Sequence, residues 1–576
     1  MTILDQFKKI KKEKYRNIAI SISLNLVALA ICLLFFEISP KADDYDMCNM
    51  IYGGINGECS YFTLYTSVIY GYLLKALLMI APKVSWYYIT QIVAIFLSLS
   101  VCVWVLFERM TKQMAYFFSC ILLFVGTYEF YIRITFSKTA GLLIATGLLL
   151  ILFFLYQEKL QWEKYIFGVC LVLSGMLLRC AVLNIVAAVF FGAFIIFLIE
   201  FKKTNKKEFT RRILIFVFSM IIFEASAKVM LEYDQYIYSK NPAWESFLNE
   251  KAQKAMLFDY AWPDYYANKE LYDSLDISEN DYLMWKIYVN TNDDNVMNVD
   301  RILELKETFG KWRQESNSLT KVCKGIISFF VSDITFYFVL SVAIGFLLLN
   351  RKENWKAYPI LLMMILLGGY MICLGRQKHH TTGVMLWTVG LLLMFYLNSN
   401  ERIRRENLIR LCVCNFSLLF LVVHIFYGEI SRPSYDVTGK QIQSYYEFAS
   451  ENRKKIEKLS EQKENVYIFP MYEALFSLQC FSPFEVYEKE FYSNIIRENI
   501  SFFPPYKESL QEYGIENIWC SLIEQENVYY CVSDVNEDSI QVVQTYYNEH
   551  YSDLIVAEKV EEIEDINVYR FAHKLR

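Results

Sequence analysis

The chain has 576 residues, of which 55% are hydrophobic, 17% aromatic and only 21% charged, a composition that excludes a disordered protein and, with apolar runs of about 20 residues, indicates a polytopic membrane protein. The net charge of −5 hides a partition, because residues 428–576 hold 14 Lys/Arg against 27 Asp/Glu while the short loops between apolar runs are basic. Such a split sets membrane orientation and is not typical of a nucleic-acid-binding surface.

The chain begins with a basic segment. Met1–Arg16 carries six Lys/Arg before the first apolar run, which predicts a cytoplasmic N-terminus. That run is ~20 residues long and no small-x-small cleavage site follows it, so we expect a retained anchor rather than a signal peptide.

The predicted first outer loop, residues 38–84, contains Lys41-Ala42-Asp43-Asp44-Tyr45-Asp46. Three carboxylates within four residues repel one another unless a cation or a general-base role offsets the repulsion. A carboxylate here is suited to deprotonate an acceptor hydroxyl or to help hold a divalent metal on a phosphate, and a solvated acidic loop is the alternative.

The segment Phe62–Ile80 decides the topology. If it lies on the outer membrane surface as an interfacial helix, every strongly basic short loop falls in the cytoplasm. Eleven spans are then predicted, at 17–37, 85–107, 113–131, 140–156, 165–179, 184–200, 213–231, 326–349, 356–375, 381–397 and 407–427.

The predicted fold is mostly α, a polytopic transmembrane helical bundle with an extracytoplasmic α/β domain at the C-terminal end. Its parts are an N-terminal membrane module (1–231), an outer acidic and aromatic segment (232–325), C-terminal spans (326–427) and the extracytoplasmic domain (428–576). In the outer segment, Ser278-x-x-Asp281 predicts a helix start. In the last part, alternating apolar stretches predict strands at Val466–Phe469, Val528–Ser533, Leu554–Ala557 and Val568–Phe571.

Ionisable residues within or beside membrane spans are candidates for function. Under the predicted topology they share the outer half of the bundle, which predicts a polar cavity that opens outward. Ion pairs that merely hold helices together are the alternative, above all for the i,i+4 pairs Glu129–Arg133 and Glu224–Lys228. The predicted secondary polar cavity comprises Asp46, Glu129, Arg133, Lys138, Glu224, Lys228 and Asp333.

The usual phosphate-loop, dinucleotide, zinc-protease and serine-hydrolase motifs are missing from the sequence, which disfavours an ATP-driven pump or a zinc protease built on them. Fourteen cysteines are present, and most fall in predicted spans. Cys48 and Cys59 share the first outer loop, where a disulfide and two free thiols are equally compatible with the sequence.

The order of these features resembles the GT-C superfamily of membrane glycosyltransferases: a cytoplasmic N-terminus, one span, an Asp-rich first outer loop, an interfacial helix and further spans. Gly175-Met176-Leu177-Leu178-Arg179 looks like the Gly-x-x-x-Arg stretch that these proteins often carry between two spans. The likeness covers residues 1–231. The stretches Asp43–Met47, Ile134–Ala140 and Phe258–Tyr265 are similar to a group of bacterial multispan membrane proteins that brings no known activity.

The resemblance implies transfer of a sugar from a polyprenyl-phosphate-linked donor to a cell-surface glycan or lipid acceptor, at the outer face of a bacterial cell membrane. It implies membrane lipid as a partner, no nucleic acid, and a Mg²⁺ or Mn²⁺ ion as the cofactor to test for. Asp43 or Asp44 matches the acidic residue that acts as base or metal ligand. The donor phosphate is expected to meet basic outer groups. These are Arg179, Arg376, Lys378, His379 and His380.

Three other functions remain open from the sequence. A polysaccharide polymerase or ligase would use the same basic outer loops without the Asp pair. A transporter or flippase is disfavoured, because polar groups near the midplane and an internal repeat are both missing from the pattern. A non-catalytic membrane protein whose outer α/β domain binds a partner is the third.

Overall fold

A computed structural model describes residues 3–40, 42–202, 206–287, 292–349, 353–376, 378–397, 405–425, 444–551 and 555–573. Helices dominate the first three quarters of the chain. The first nine are α1 (Ile3–Phe35), α2 (Ala42–Tyr52), α3 (Val68–Ile80), α4 (Trp86–Arg109), α5 (Lys112–Gly126), α6 (Phe136–Leu155), α7 (Trp162–Arg179), α8 (Val182–Phe201) and α9 (Lys206–Tyr238). A π-helical turn, Thr127–Ile132, extends α5.

More helices follow α9, first in the segment 232–325 and then in the second membrane-type part of the chain. They are α10 (Pro242–Asp259), α11 (Lys269–Ser274), α12 (Glu279–Tyr282), α13 (Val299–Glu315), α14 (Leu319–Val331), α15 (Ile334–Leu349), α16 (Ala357–Leu374), α17 (His379–Tyr396) and α18 (Arg405–Ile425). The predicted helix start at Ser278 is confirmed, because Ser278 and Asp281 form a reciprocal capping box.

Within the described residues, seven helices are long and apolar enough to cross a membrane, and α14 with α15 makes an eighth if the bent pair is one span. These helices indicate a membrane protein. Three further predicted spans fall on α7, α17 and α18, which are not among them. Charges at both ends shorten the apolar part of α7, and α17 starts with His379-His380-Thr381-Thr382.

The predicted span 326–349 is not one straight helix. It breaks between α14 and α15, which are bent by 92° relative to one another, and Asp333 lies at the break. In the segment Phe62–Ile80, only the residues of α3 form a helix, which is 13 residues long. At 1.5 Å per residue α3 is ~20 Å long, too short to cross ~30 Å of hydrocarbon. Met79 and Ile80, at its end, are about 80% exposed, at 81% and 79%.

The centre of the bundle is α6, whose side chains are all buried. It packs closely on α7 because small residues face one another there. An added Cβ at Gly147 would lie 2.5 Å from the carbonyl oxygen of Gly168, and one at Gly168 would lie 2.8 Å from that of Gly147. Backbones approach this closely in membranes where small residues leave room for dispersion contacts.

The C-terminal region is a small α/β unit. A five-stranded sheet of order β2-β1-β3-β5-β4 is built from β1 (Val466–Phe469), β2 (Ile495–Arg497), β3 (Val528–Ser533), β4 (Ile555–Ile563) and β5 (Ile566–His573). The first three strands are parallel and the last two form an antiparallel hairpin. Its helices are α19 (Tyr445–Ser460), α20 (Met471–Ser477), α21 (Pro504–Glu512), α22 (Ile518–Glu524) and α23 (Asp538–His550).

Four strands of this sheet were predicted, and β1 and β3 match the prediction residue for residue. The prediction missed β2, which has only three residues. For β4, Leu554 lies outside the described residues, and the strand continues beyond the predicted end to Ile563.

The α/β unit is docked on the first outer region. The Glu37 carboxylate accepts hydrogen bonds from the Ser444 hydroxyl at 2.7 Å and from the Tyr445 backbone N–H at the start of α19. The backbone N–H of Tyr492 donates to the Gly54 carbonyl at 2.7 Å. Gly57 lets the two parts approach closely, since its φ is +75° and an added Cβ would lie 2.6 Å from Glu490 Oε1. Cys48 and Cys59 are not bridged.

Candidate functional site

The three acidic residues of the first outer region lie on a helix rather than in an extended loop. Asp43 and Asp44 occupy the first turn of α2, where the positive end of the helix dipole favours carboxylates. Asp43 and Asp46 are three residues apart and therefore share a face, while Asp44 is turned away by ~100°.

The structure places Asp44 behind the candidate site. Its side chain is fully buried and accepts hydrogen bonds from the Tyr87 hydroxyl at 2.6 Å and from the Phe136 backbone N–H at 3.3 Å. These bonds tie α2 to α4 and to the start of α6. Of the predicted catalytic pair, only Asp43 lines the cavity, whereas the Asp44 carboxylate is used in bonds between helices.

A cavity of about 660 Å³ lies where the ends of the bundle helices meet the outer segment and the α/β unit. Three carboxylates and seven cationic side chains line it: Asp43, Asp46, Asp259, Arg179, Lys251, Lys254, Lys286, Arg376, Lys378 and Arg497. His380 lies in the same wall. Residues of α2 and of the basic segments at the ends of α7 and α16 thus line the same cavity.

Two of the three carboxylates are neutralised by ion pairs. Asp46 is held by Arg497, whose Nη1 lies 2.8 Å and 3.0 Å from its two oxygens. Asp259 contacts Arg376 at 2.6 Å and Lys378 at 3.0 Å. Burial raises the pKa of Asp46 to about 6, although Arg497 opposes the shift. For Asp259, burial is outweighed by Lys378 and Arg376, which hold its pKa below the usual value.

Arg179 and Lys251 are half-buried, and among the described residues neither has an ion-pair partner. The Arg179 guanidinium donates to the Ser137 hydroxyl and lies 5.2 Å from the centre of the Phe136 ring. The Lys251 ammonium donates to the Leu64 carbonyl and lies 4.2 Å from the centre of the Tyr65 ring. Burial and the charge of Arg179 lower the pKa of Lys251 to about 8. Two half-buried cations that act on one another, with no ion pair of their own among the described residues, are an arrangement that attracts an anion.

Asp43 is the available carboxylate of the cavity. In the described part of the chain it has neither a hydrogen-bond partner nor an ion-pair partner, and it acts electrostatically on Arg179 and Lys251. A half-buried carboxylate without a fixed partner is free to accept a proton from a bound hydroxyl. Asp46 differs from Asp43 in this respect, because its carboxylate is paired with Arg497.

The donor set does not fit a resident Mg²⁺ or Mn²⁺ ion. Such ions bind through one or two carboxylates and substrate phosphates, and Asp43 is the one carboxylate among the described cavity residues that no cation occupies. The seven cationic side chains in the same wall oppose a further positive charge. We therefore derive no step through a metal.

One wall of the cavity is apolar. It is formed by Val182 and Ile185 of α8 and by Leu367, Met371 and Leu374 of α16. Both helices are candidate membrane spans. The cavity therefore offers a charged region beside a surface that continues along membrane-type helices, which suits a molecule with an anionic head and an apolar chain.

Several predicted residues lie elsewhere. His379 is exposed, with its ring 6.1 Å from that of Phe329, and does not line the cavity. Glu224 and Lys228 are exposed on α9, and Lys228 is closer to Glu232, at 3.8 Å. Their placement in a polar cavity was wrong, because α9 turns this face away from the bundle.

The remaining predicted charges form a separate buried cluster. Lys138 Nζ lies 2.6 Å from Glu129 Oε1, so Glu129 pairs with Lys138 rather than with Arg133. Arg133 instead donates to the Tyr128 hydroxyl at 3.2 Å. An added Cβ at Gly383 would lie 2.5 Å from Glu129 Oε1 and 3.5 Å from Asp333 Oδ2, so α17 closes over the two carboxylates. This cluster joins helices, as the structural alternative proposed.

Five charged cavity residues were missed by the sequence reasoning: Lys251, Lys254, Asp259, Lys286 and Arg497. Four come from the outer segment and one from the end of β2. Asp259 lies in the segment Phe258–Tyr265, which is similar to the group of bacterial multispan membrane proteins. That similarity was the sequence feature that could have pointed to Asp259. For Arg497 the sequence held no local signal, because its partner Asp46 is 451 residues away.

Outside the cavity, and within the described residues, Asp281, Glu549 and His550 are the one group with metal-type ligand atoms close together. His550 Nε2 lies 2.6 Å from Asp281, and the Ser278 hydroxyl donates to Glu549 at 2.9 Å. These bonds link α12 to α23, so contact between the two helices explains why the three side chains lie together. No family model, curated protein or solved structure matches the chain.

Proposed function

We propose that the protein is a membrane glycosyltransferase that moves a sugar from a polyprenyl-phosphate-linked donor to a cell-surface glycan or lipid acceptor. The observation that carries the proposal is Asp43, a carboxylate without an ion-pair or hydrogen-bond partner among the described residues, in a cation-rich cavity with one apolar wall. A polyprenyl phosphate has the matching chemistry, since its head is anionic and its chain belongs in the bilayer.

In this proposal the donor phosphate binds to Arg179 and Lys251, with Arg376 and Lys378 beside them, and the prenyl chain follows α8 and α16. Asp43 takes the proton of the acceptor hydroxyl as its oxygen attacks the anomeric carbon. The bond between that carbon and the phosphate oxygen breaks, and its electron pair leaves with the phosphate. The cationic side chains stabilise the charge that develops there.

The aromatic residues of the outer wall support a carbohydrate substrate. Trp285, Phe502 and Phe503 line the cavity opposite the bundle. Aromatic rings offer flat apolar surface against which the C–H faces of a sugar can pack. Two segments of the outer parts, one in the segment 232–325 and one in the α/β unit, thus contribute aromatic rings to the site that we assign to donor and acceptor.

The proposal includes a topology of eleven spans in a bacterial cell membrane. The N-terminus is cytoplasmic, and the outer segment and the α/β unit are extracytoplasmic, because this arrangement puts the basic short loops inside. The cavity then opens at the outer surface, where a lipid-linked donor presents its sugar.

The test compares Asp43→Asn with the wild type in membranes supplied with polyprenyl-phosphate-linked hexoses. We expect Asp43→Asn to lower the rate of sugar transfer by ~10²–10⁴, as the loss of a general base does. Binding of sugar-free polyprenyl phosphate should be retained, because the cationic side chains remain. Asp273→Asn, at an exposed position of α11, is the matched control and should keep full activity.

Full activity of Asp43→Asn would show that Asp43 is not the base. If the wild type binds polyprenyl phosphate but transfers none of the donor sugars, a flippase is favoured. If the wild type neither binds nor transfers, a non-catalytic protein is favoured.

A further inference from the structure

A second cavity, of about 380 Å³, lies where α13, α14 and the end of α16 meet. Its charged lining residues are Arg313, Lys321 and Lys324. No carboxylate stands in the wall that the described residues form around it. Three positive charges therefore converge on a cavity that contains no negative group of its own.

These charges are not compensated by nearby ion pairs. Arg313 donates to the Ala261 carbonyl at 2.9 Å and lies over the Tyr260 ring. Lys321 Nζ lies 3.1 Å from the Ser316 hydroxyl and 5.2 Å from the centre of the Trp312 ring. In the described ranges neither residue, nor Lys324, has an ion-pair partner. The cavity is therefore an anion site by its electrostatics.

The position of the cavity indicates where the anion comes from. The candidate span of α16 ends at Leu374, and Cys373 and Gly375 line the cavity. The wall thus lies at the level where an apolar helix leaves the hydrocarbon, which is the depth of lipid headgroups.

Helix α14 supports this placement. It is bent by 92° away from α15, so it lies across the end of the bundle instead of continuing the span. Leu319, Ile327 and Val331 form an apolar stripe on it and are 81%, 63% and 44% exposed. Lys321 and Lys324 border this stripe on the exposed side of the helix. A helix with an exposed apolar stripe bordered by lysines is typical of the membrane interface.

We propose that this cavity binds the phosphate group of an anionic membrane lipid. Arg313 and the two lysines bind the phosphate oxygens, and the hydroxyl groups of Ser316 and Ser328 line the space for the rest of the headgroup. The acyl chains run beside the exposed stripe of α14.

The site lies back to back with the larger cavity. The Ala261 N–H donates to the Gly375 carbonyl at 2.9 Å, and the next residue, Arg376, pairs with Asp259 in the larger cavity. Gly375 adopts φ +65°, and an added Cβ would lie 2.9 Å from the Arg313 side chain. A lipid held by Arg313 therefore steadies the turn that carries Arg376, whatever reaction the larger cavity supports.

The test measures lipid binding to the full-length protein in detergent by native mass spectrometry. The probes are phosphatidylglycerol and phosphatidylcholine with identical acyl chains. Lys321→Gln/Lys324→Gln should bind phosphatidylglycerol about 30-fold more weakly than the wild type, which corresponds to the loss of two lysines at an anionic lipid. Lys269→Gln/Lys306→Gln removes the same charge from exposed positions of α11 and α13 and should bind like the wild type.

An unchanged melting temperature of the double variant shows that its fold is intact. Equal affinity of the wild type for the two lipids, or of the variant and the wild type for phosphatidylglycerol, would overturn the proposal. If excess inorganic phosphate displaces phosphatidylglycerol, and this displacement depends on the same lysines, the site binds a free anion and the lipid proposal is overturned.

Discussion

The ammonium group of Lys251 is buried next to a guanidinium, and its pKa falls to about 8 as a result. An anionic ligand prefers the protonated amine, so the affinity for polyprenyl phosphate should fall as the pH rises through about 8. Lys251→Gln should bind more weakly at neutral pH and show no such step between pH 7 and pH 9. Titrations of polyprenyl phosphate at several pH values measure this.

Lys254→Gln is the control for that titration. Lys254 lines the same cavity but is paired with Glu250 at 2.8 Å, so its replacement should leave the pH step in place. A step that survives in Lys251→Gln would assign it to another group.

At the residue scale, the sequence predicted five of the ten Asp, Lys and Arg residues that line the cavity, but not which of the two neighbouring aspartates faces it. Arg179, Arg376 and Lys378 were predicted because they end or join spans. Asp43 and Asp44 could not be told apart, since the distinction depends on the ~100° that separates neighbouring residues of a helix, and α2 was predicted as a loop.

At the scale of elements, periodicity predicted the strands β1 and β3 and most of the long helices. The break between α14 and α15 escaped prediction because Ser332-Asp333 lies inside an apolar run with neither Pro nor Gly to mark it. At the bend, the Asp333 carboxylate accepts a hydrogen bond from the Thr335 N–H at 2.9 Å and so caps the start of α15. The Phe330 ring lies against Gly368 of α16, where an added Cβ would be 2.6 Å from it.

The contact between α6 and α7 gives a prediction at the same scale. Gly147→Ala or Gly168→Ala puts a methyl group against the backbone of the facing helix, within 2.8 Å of a carbonyl oxygen. We expect each to lower the free energy of unfolding by ~1–3 kcal/mol, as overpacking does. Thermal unfolding in detergent measures the loss.

Gly310→Ala is the matched control, because the added Cβ meets nothing closer than 3.9 Å. Replacing this helical glycine should stabilise the protein slightly, by ~0.5–1 kcal/mol. Equal effects of the three substitutions would contradict close packing between α6 and α7.

At the scale of the whole molecule, the buried pair of Asp46 and Arg497 joins the membrane module to the α/β unit. Arg497→Met leaves a buried carboxylate without its partner and should destabilise the protein by ~3–5 kcal/mol. Burial already raises the pKa of Asp46 to about 6 and Arg497 opposes that rise, so the variant's Asp46 takes up a proton more readily. The variant should therefore recover stability at pH 5 relative to pH 8.

Lys311→Met, which removes an exposed cation with a surface ion pair to Glu307 at 2.7 Å, is the control and should cost less than ~1 kcal/mol. Asp46→Asn/Arg497→Met should regain much of the loss at pH 8. A loss in Arg497→Met that is the same at both pH values would show that the buried charge is not its cause.

The proposed number of eleven crossings rests on the charges of the short loops and on the choice of α3 as an interfacial helix. The length of α3 is consistent with that choice. Between Lys206 and Lys454 the prediction places five spans, with the bent pair of α14 and α15 counted as one. An odd number puts the two positions on opposite sides of the membrane. Between Lys269 and Lys454 it places four, so these two share a side. Finding on which side of the membrane each of the three positions lies therefore tests the predicted number of spans.

Single cysteines at Lys206, Lys269 and Lys454, all exposed, make that test in intact cells. The background first needs serine at the exposed native cysteines, which are Cys120, Cys170, Cys323, Cys373, Cys412 and Cys414. A membrane-impermeant maleimide should label Lys269→Cys and Lys454→Cys, and should label Lys206→Cys only after the membrane is opened. Labelling of Lys206→Cys and Lys454→Cys alike would mean an even number of crossings between them, and it would place the larger cavity or the α/β unit on the side away from the acceptor.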